Sequence, residues 1–210
     1  MPATAVPDYS LHPYKYSLQV GPIQVQRIYN RQNILYRYSP QQLQYYDLQQ
    51  WAVRPDQMFI DVIQKHLESI PLTNRISTDF FDQRPDYRLE GMVEALEKYD
   101  AGDLFFAHLA MSFNLFRVED GSKIWDYSFD QRRQVFQPEM VYTVQALSGI
   151  LQSELDIVAT QIDSLFFTAQ TGHAPAVPAP NAAPGMPAVQ SSPPADHVDE
   201  SAFDIIPENR

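Results

Sequence analysis

Three consecutive stretches in the middle of this chain alternate apolar and polar residues, and one long apolar stripe follows them. The three stretches lie within residues 86–130 and predict a three-stranded antiparallel meander. Residues 100–103, which include Gly102, supply one turn. Asp120 and Gly121 supply a second, hairpin turn, because this pair tolerates the positive φ angles that tight hairpins need. From Pro138 to Leu165, apolar residues recur every three or four positions. This spacing predicts one amphipathic helix of about 28 residues, which is longer than most globular helices.

The first part of the chain predicts five shorter elements. Alternating apolar residues indicate strands over 16–28, 34–38 and 43–47. Helical spacing indicates a helix over 55–69, with a proline in its first turn, and 75–81 is a further short strand. The predicted order is β-β-β-α-β-β-β-β-α. We therefore predict an α+β fold, with a mostly antiparallel sheet and both the shorter helix and the long C-terminal helix packed on one face.

The composition changes after Thr168. The 42 residues beyond it hold eight of the 17 prolines but only one of the 26 aromatic residues. We predict an irregular lead-in over 1–13, one domain over 14–168 and a disordered Ala/Pro-rich tail over 169–210. A domain of this length can bury a core without disulfides or metals, whereas the tail has too little apolar surface to offset its ordering entropy.

Three bulky apolar residues stand near the end of the predicted tail, namely Phe203, Ile205 and Ile206. After a flexible spacer, such a cluster is a candidate docking peptide for a partner. An unselected terminus explains it equally simply, so the sequence leaves both interpretations open.

The charge balance and the missing cysteine exclude several functions. The chain has 15 Lys+Arg against 26 Asp+Glu, a formal charge of −11, and no cysteine. Nucleic-acid binding is disfavoured, because it depends on neutralising phosphates with basic side chains. Disulfides, thiolate zinc sites and a cysteine nucleophile are impossible. The longest apolar-rich stretch, 104–116, is too short to span a bilayer.

No motif in the sequence predicts catalytic, metal-binding or cofactor-binding residues. The seven glycines lie too far apart for a dinucleotide or Walker loop. His66 and His108 are the histidines best placed for function, but a structural role is favoured for both. The acidic stretch of Asp79, Asp82 and Asp86 lacks the spacing of a calcium loop and is interpreted as a solvated loop. We therefore expect no enzymatic activity and no cofactor.

One pair of carboxylates keeps an enzymatic alternative open. Glu90 and Glu94 share one face of a predicted strand, as paired carboxylates in a hydrolase would. Arg88 and Lys98 are predicted on the same face, so ordinary cross-strand pairing explains the carboxylates better.

An aromatic cluster in the first strands is the candidate partner or ligand surface. Packed tyrosines can bind a partner through an apolar body and a polar rim. They can equally form the sheet face beneath the long helix. The residues concerned are Tyr36, Tyr38, Tyr45, Tyr46 and Trp51.

Three motifs, in this order, resemble those of a known family. They are Ile34, Tyr36 and Arg37, then Tyr46, Trp51, Ala52 and Pro55, then Leu89, Gly91, Val93, Glu94 and Leu96. With the closing long helix, they make residues 14–166 resemble the ABC-type transport auxiliary lipoprotein family (PqiC/YmbA-like).

The resemblance implies a non-enzymatic periplasmic lipoprotein, anchored through an N-terminal cysteine and more often on the outer membrane. Its implied partners are an ABC transporter permease and ATPase with an MCE-domain protein, and the system would move lipids or other hydrophobic compounds across the Gram-negative envelope.

Two features of the sequence leave alternatives open. Because it contains neither a signal peptide nor a lipobox cysteine, we interpret it as a soluble form cut just after the anchor, with Met1 added; a native Met1 would leave the location open. Because it is rich in aromatic residues, a carrier that binds a hydrophobic ligand directly between sheet and helix is the alternative function. A homo-oligomer is also left open.

Overall fold

The computed structural model describes residues 14–39 and 41–171, which form seven strands and two helices in the predicted order. Their bounds are β1 (Tyr14–Val25), β2 (Asn33–Ser39), β3 (Gln42–Gln50), α1 (Pro55–Glu68), β4 (Thr73–Ser77), β5 (Tyr87–Ala101), β6 (Leu104–Arg117), β7 (Lys123–Val135) and α2 (Met140–Thr171). The predicted α+β class, with a shorter helix and a long C-terminal helix, is confirmed.

The strands of the described residues belong to one sheet that contains both parallel and antiparallel pairs. The pairs β2–β3, β5–β6 and β6–β7 are antiparallel, and the last two form the predicted meander. β1 lies parallel to both β4 and β5, and β2 also lies parallel to β5. The alternation of apolar residues did not predict these parallel pairs, because it marks the face of a strand and not its neighbour.

β5 is the strand that organises the sheet. It has 15 residues and is therefore about 50 Å long, enough for two strands to pair along one edge. β1 pairs with it from Tyr87 to Val93, and β2 pairs with Lys98 and Tyr99. The register with β6 shifts between Val93 and Ala95, which lies between the two pairing zones. One end of the sheet therefore carries β1 and β4, and the other end carries the β2–β3 hairpin.

Both helices cover the same face of the sheet, because each contacts β1 and they contact each other. Phe166 of α2 is fully buried there. Its ring centroid lies 5.8 Å from that of Tyr14, 5.3 Å from that of Tyr16 and 4.7 Å from that of Tyr87. The helix continues beyond Leu165, where the sequence pattern ended, and Phe166 adds one more buried contact to its apolar stripe.

The two hairpin turns of the meander form where the sequence predicts them. Gly102 and Gly121 have φ angles of +65° and +71°, a region that glycine adopts without steric cost. These turns set the antiparallel register of the meander, and so they determine which side chains of β5, β6 and β7 face α2.

Candidate functional site

Three of the predicted surface tyrosines form a cluster on the β2–β3 hairpin. The ring centroid of Tyr36 lies 4.7 Å from that of Tyr38 and 4.3 Å from that of Tyr46. We call Tyr36, Tyr38 and Tyr46 the tyrosine cluster. Tyr38 remains 48% exposed, so the cluster presents aromatic surface to solvent. The hairpin places these rings together because Tyr36 pairs with Gln44, and side chains two residues further along each strand, those of Tyr38 and Tyr46, lie on the same face.

The hydroxyls of the tyrosine cluster are linked by hydrogen bonds. Tyr38 donates to the hydroxyl oxygen of Tyr36 at 3.0 Å, and Tyr36 donates to Oε1 of Gln44 at 2.7 Å. The hydrogen bond between the Tyr36 and Tyr38 hydroxyls, followed by burial, raises the pKa of Tyr36 to about 12. The Tyr36 hydroxyl therefore stays neutral at physiological pH. It can offer a polar contact to a partner without carrying charge.

The other two predicted surface residues lie apart from this cluster. Tyr45 is adjacent to Tyr46 on β3, so its side chain lies on the other face of the strand. Its hydroxyl donates to the carbonyl of Ile28 at 2.9 Å. The guanidinium of Arg31 stands 5.2 Å from the centre of the Tyr45 ring. Trp51 follows β3, its backbone N–H donates to the carbonyl of Gln32 at 2.7 Å, and its ring is half-buried. Three of the five residues therefore form one cluster, and Tyr45 and Trp51 lie outside it.

A groove continues from the tyrosine cluster to the beginning of α2. It has a volume of about 430 Å³. Its lining consists of Tyr46, Asp47, Leu48, Gln49, Pro138, Glu139 and Met140, and we call it the hairpin groove. Leu48 is 93% exposed, and Phe136 just before the groove is 86% exposed. No sequence motif marks Leu48 or Phe136 as functional. Their only signal in the sequence is a bulky apolar residue beside glutamine or an acidic residue.

Lys98 holds the hairpin, β5 and the beginning of α2 together beneath this groove. Its ammonium donates to the carbonyl of Pro138 at 3.1 Å and lies 3.3 Å from Oδ1 of Asp100 and 3.5 Å from the hydroxyl of Tyr46. Lys98 is only 3% exposed. A buried ammonium requires such partners, so the walls of the groove are fixed relative to one another.

A buried polar network lies on the sheet face that α2 does not cover. Glu97 accepts hydrogen bonds from Nε of Arg37 at 2.8 Å and from the Tyr29 hydroxyl at 2.9 Å. Nδ1 of His108 lies 3.0 Å from Glu97, and its Nε2 lies 2.8 Å from Asp130. Burial disfavours the charged form of Glu97, but the bonds from His108, Arg37 and Tyr29 outweigh it and lower the pKa of Glu97 to about 2.

The remaining candidate carboxylates each have their own partner. Nε of Arg88 lies 2.9 Å from Glu90, and the Ser112 hydroxyl donates to Glu94 at 3.1 Å. In the acidic stretch, Asp82 forms a two-point ion pair with Arg75, while Asp86 accepts hydrogen bonds from the backbone N–H and the hydroxyl of Ser17.

Over residues 14–39 and 41–171, no three histidine or acidic side chains lie close enough together to form a metal site. His66 lies 3.0 Å from Asp156 and links the two helices.

Neither described helix is both long enough and apolar enough to cross a membrane. The predicted docking residues Phe203, Ile205 and Ile206, like the lead-in over 1–13 and most of the predicted tail, lie outside the described residues.

The fold occurs in other proteins of known structure. A protein from Xanthomonas campestris is 22% identical, with a TM-score of 0.62 over 78% of this chain and 91% of that chain. A second, uncharacterized protein is 16% identical, with a TM-score of 0.61 over 72% of this chain and 95% of that one. These likenesses show a shared fold. No curated protein matches the chain.

The family follows from the sequence match. Residues 1–159 match the family described as the ABC-type transport auxiliary lipoprotein component. Because the match covers well over half of the chain, the protein belongs to this family, and the resemblance in the sequence motifs is confirmed.

Proposed function

We propose that this protein is a non-enzymatic, lipid-anchored periplasmic adaptor of an ABC transport system that includes an MCE-domain protein and moves lipids or other hydrophobic compounds. We further propose that the tyrosine cluster and the hairpin groove contact the permease or the MCE-domain partner. Membership of the auxiliary lipoprotein family supports the first statement. The second depends on one observation, the exposed aromatic and aliphatic surface on β3.

The position of β3 suits it to bind a protein. Among the described strands, β3 pairs only with β2, so its outer edge offers backbone donors and acceptors to a partner. Tyrosine and other large apolar residues are enriched at protein interfaces, where they contribute area and a few directed hydrogen bonds. Leu43, Tyr38 and Leu48 are all exposed along this hairpin. An edge strand with such residues is costly to leave uncovered, which supports a partner there.

The experiment is affinity capture from cross-linked envelopes that contain the native, membrane-anchored protein. Tyr38→Ser combined with Leu48→Ser should reduce recovery of the permease or MCE-domain protein by about tenfold, as loss of interface anchors does. Phe81→Ser is the matched control, because Phe81 is also 93% exposed but lies in the loop before β5. Equal recovery with both variants would contradict the proposed surface. Recovery of neither partner with the unaltered protein would contradict the proposed function.

No specific observation supports the alternative function of a carrier that binds a hydrophobic ligand between sheet and helix. Leu155, Val158, Ile162 and Phe166 of α2 have no exposed surface between helix and sheet, and the aromatic rings there pack directly on one another. Native mass spectrometry without detergent would favour the carrier only if a lipid co-purified with the protein. The same spectra report whether the protein forms a homo-oligomer.

Two further proposals concern segments outside the described residues. We propose that Phe203, Ile205 and Ile206 dock on a partner and that the residues after α2 act as their spacer. Deleting residues 201–210 should then lower partner recovery in the same capture experiment. Membrane fractionation of cells and metabolic labelling with a fatty acid test the proposed anchor.

A further inference from the structure

A second cavity, separate from the hairpin groove, lies where the loop between β1 and β2 meets the segment before α1. Its volume is about 750 Å³. Three arginines line it, namely Arg27, Arg31 and Arg54, together with Asn30, Gln32 and Asn33. We call it the arginine pocket. Three of the 15 Lys and Arg side chains therefore line one cavity, although the chain as a whole has a formal charge of −11.

The loops around the arginine pocket are fixed by hydrogen bonds. The backbone N–H of Trp51 donates to the carbonyl of Gln32 at 2.7 Å, which joins the two segments directly. The backbone N–H of Asp56 donates to Oδ1 of Asn30 at 3.4 Å, a longer contact. Tyr29, in the middle of the first loop, is buried and bonded to Glu97. Because these bonds already fix the loops, little further ordering of the protein is needed when a ligand binds.

The three guanidinium groups leave positive charge in the pocket. Arg54 pairs with Asp56 at 2.8 Å, and Arg31 stands over the ring of Tyr45. Arg27 forms no ion pair or hydrogen bond with the described residues. Asp56 can neutralise only one of the three charges, so the pocket carries a net positive charge. The amide NH₂ groups of Asn30 and Gln32 add neutral donors.

We propose that the arginine pocket binds a phosphate group. Guanidinium forks match phosphate oxygens through paired hydrogen bonds, and several forks can bind one phosphate because it presents three or four oxygens. A carboxylate presents only two oxygens and would leave part of the donor set unused. The cavity has the size of small-molecule sites and can hold more than the phosphate itself. A phospholipid headgroup and a soluble phosphate ester share this chemistry; the lipid source rests on the proposed function, whereas the phosphate site does not.

The first experiment titrates inorganic phosphate into the full chain and follows binding by calorimetry and by the NMR signals of the arginine Nε–H groups. Arg27→Gln combined with Arg54→Gln should weaken binding by about tenfold or more, since two charged donors are lost. Arg54 makes no side-chain cap to α1, so its replacement leaves the helix start intact. Arg117→Gln combined with Arg132→Gln is the control, because it removes the same charge from exposed arginines elsewhere.

The second experiment separates the two sources of phosphate. Vesicles of phosphatidylglycerol and phosphatidylcholine, compared with vesicles of phosphatidylcholine alone, are tested by flotation at low salt. Binding that the Arg27/Arg54 variant loses and the control keeps supports a headgroup ligand. Arginine-dependent binding of phosphate without vesicle binding supports a soluble phosphate ester. The proposal is overturned if phosphate fails to bind, or if the variant and the control bind equally well, whatever the result of partner capture.

Discussion

At the scale of single residues, Glu97 shows how the sheet tolerates a buried charge. Its side chain is 1% exposed and is bonded by Arg37, His108 and Tyr29. Nδ1 of His108 lies 3.0 Å from Oε1 of Glu97, and its Nε2 lies 2.8 Å from Oδ1 of Asp130. The network therefore compensates a negative charge from several directions, which is what a buried carboxylate requires.

Replacing Glu97 by Gln should destabilise the protein by about 3 kcal/mol, because the partly buried guanidinium of Arg37 then loses the negative charge that compensates its own. Urea unfolding at pH 7 measures the change in the free energy of unfolding. Glu94→Gln is the control on the same strand, where an exposed carboxylate accepts a single bond from Ser112, and it should cost no more than about 0.5 kcal/mol. Similar losses for both variants would show that the network does not stabilise the fold.

The carboxylate of Glu97 also makes the free energy of unfolding depend on pH. The pKa of Glu97 is about 2 in the folded protein against a reference value of 4.5, so its contribution to stability is complete above pH 4.5 and is lost as the pH falls towards 2. The difference in unfolding free energy between the wild type and Glu97→Gln should therefore shrink between pH 5 and pH 3. A difference that stays constant over this range would contradict the lowered pKa.

At the scale of secondary-structure elements, α2 illustrates how far the apolar pattern predicts packing. The spacing of three and four residues predicts the helix and its buried stripe. Leu155, Val158 and Ile162, which belong to that stripe, are fully buried. The pattern did not distinguish Phe166 from Phe167, because two adjacent aromatic residues fit either side of a helix.

The two phenylalanines provide a matched test of this packing. Phe166→Ala should cost about 3–5 kcal/mol, because it removes a ring that packs against Tyr14, Tyr16 and Tyr87. Phe167→Ala should cost about 0.5 kcal/mol or less, since Phe167 is 41% exposed. Chemical unfolding of the two variants measures the difference. Equal costs would mean that α2 is rotated about its axis relative to the structure.

At the scale of the whole molecule, the described core is complete by the end of α2. The buried apolar residues extend from Tyr14 to Phe166, and both helices and all seven described strands contribute to the sheet and its covered face. The predicted domain of 14–168 stays a proposal for the limits of the independently folding unit.

A chain that ends at Thr171 should unfold within about 2 °C of the full chain, because it keeps every described buried contact. A chain that ends at Asp163 should unfold many degrees lower, since it lacks Phe166. Scanning calorimetry of the three chains measures both effects. A large loss on removing residues 172–210 would show that the folding unit extends beyond α2.

The sequence by itself determined the elements, their order, the two glycine turns and the family. These depend on local rules: the period of apolar residues, the turn preferences of glycine and motifs of neighbouring residues. It also singled out four tyrosines and Trp51 as either a partner surface or packing beneath the long helix, and three of these five residues do lie together. Whether that surface binds a partner stays a prediction.

Only the tertiary structure decided which strands pair in parallel, which side chains meet in the network around Glu97, and which residues line the hairpin groove and the arginine pocket. Each of these joins segments that are distant in the chain, such as Arg37 with Glu97 or Arg27 with Arg54. Local periodicity assigns a face to a residue but no partner across the fold. The partner depends on how β5 shares one edge between β1 and β2, and that arrangement arises only when the whole sheet assembles.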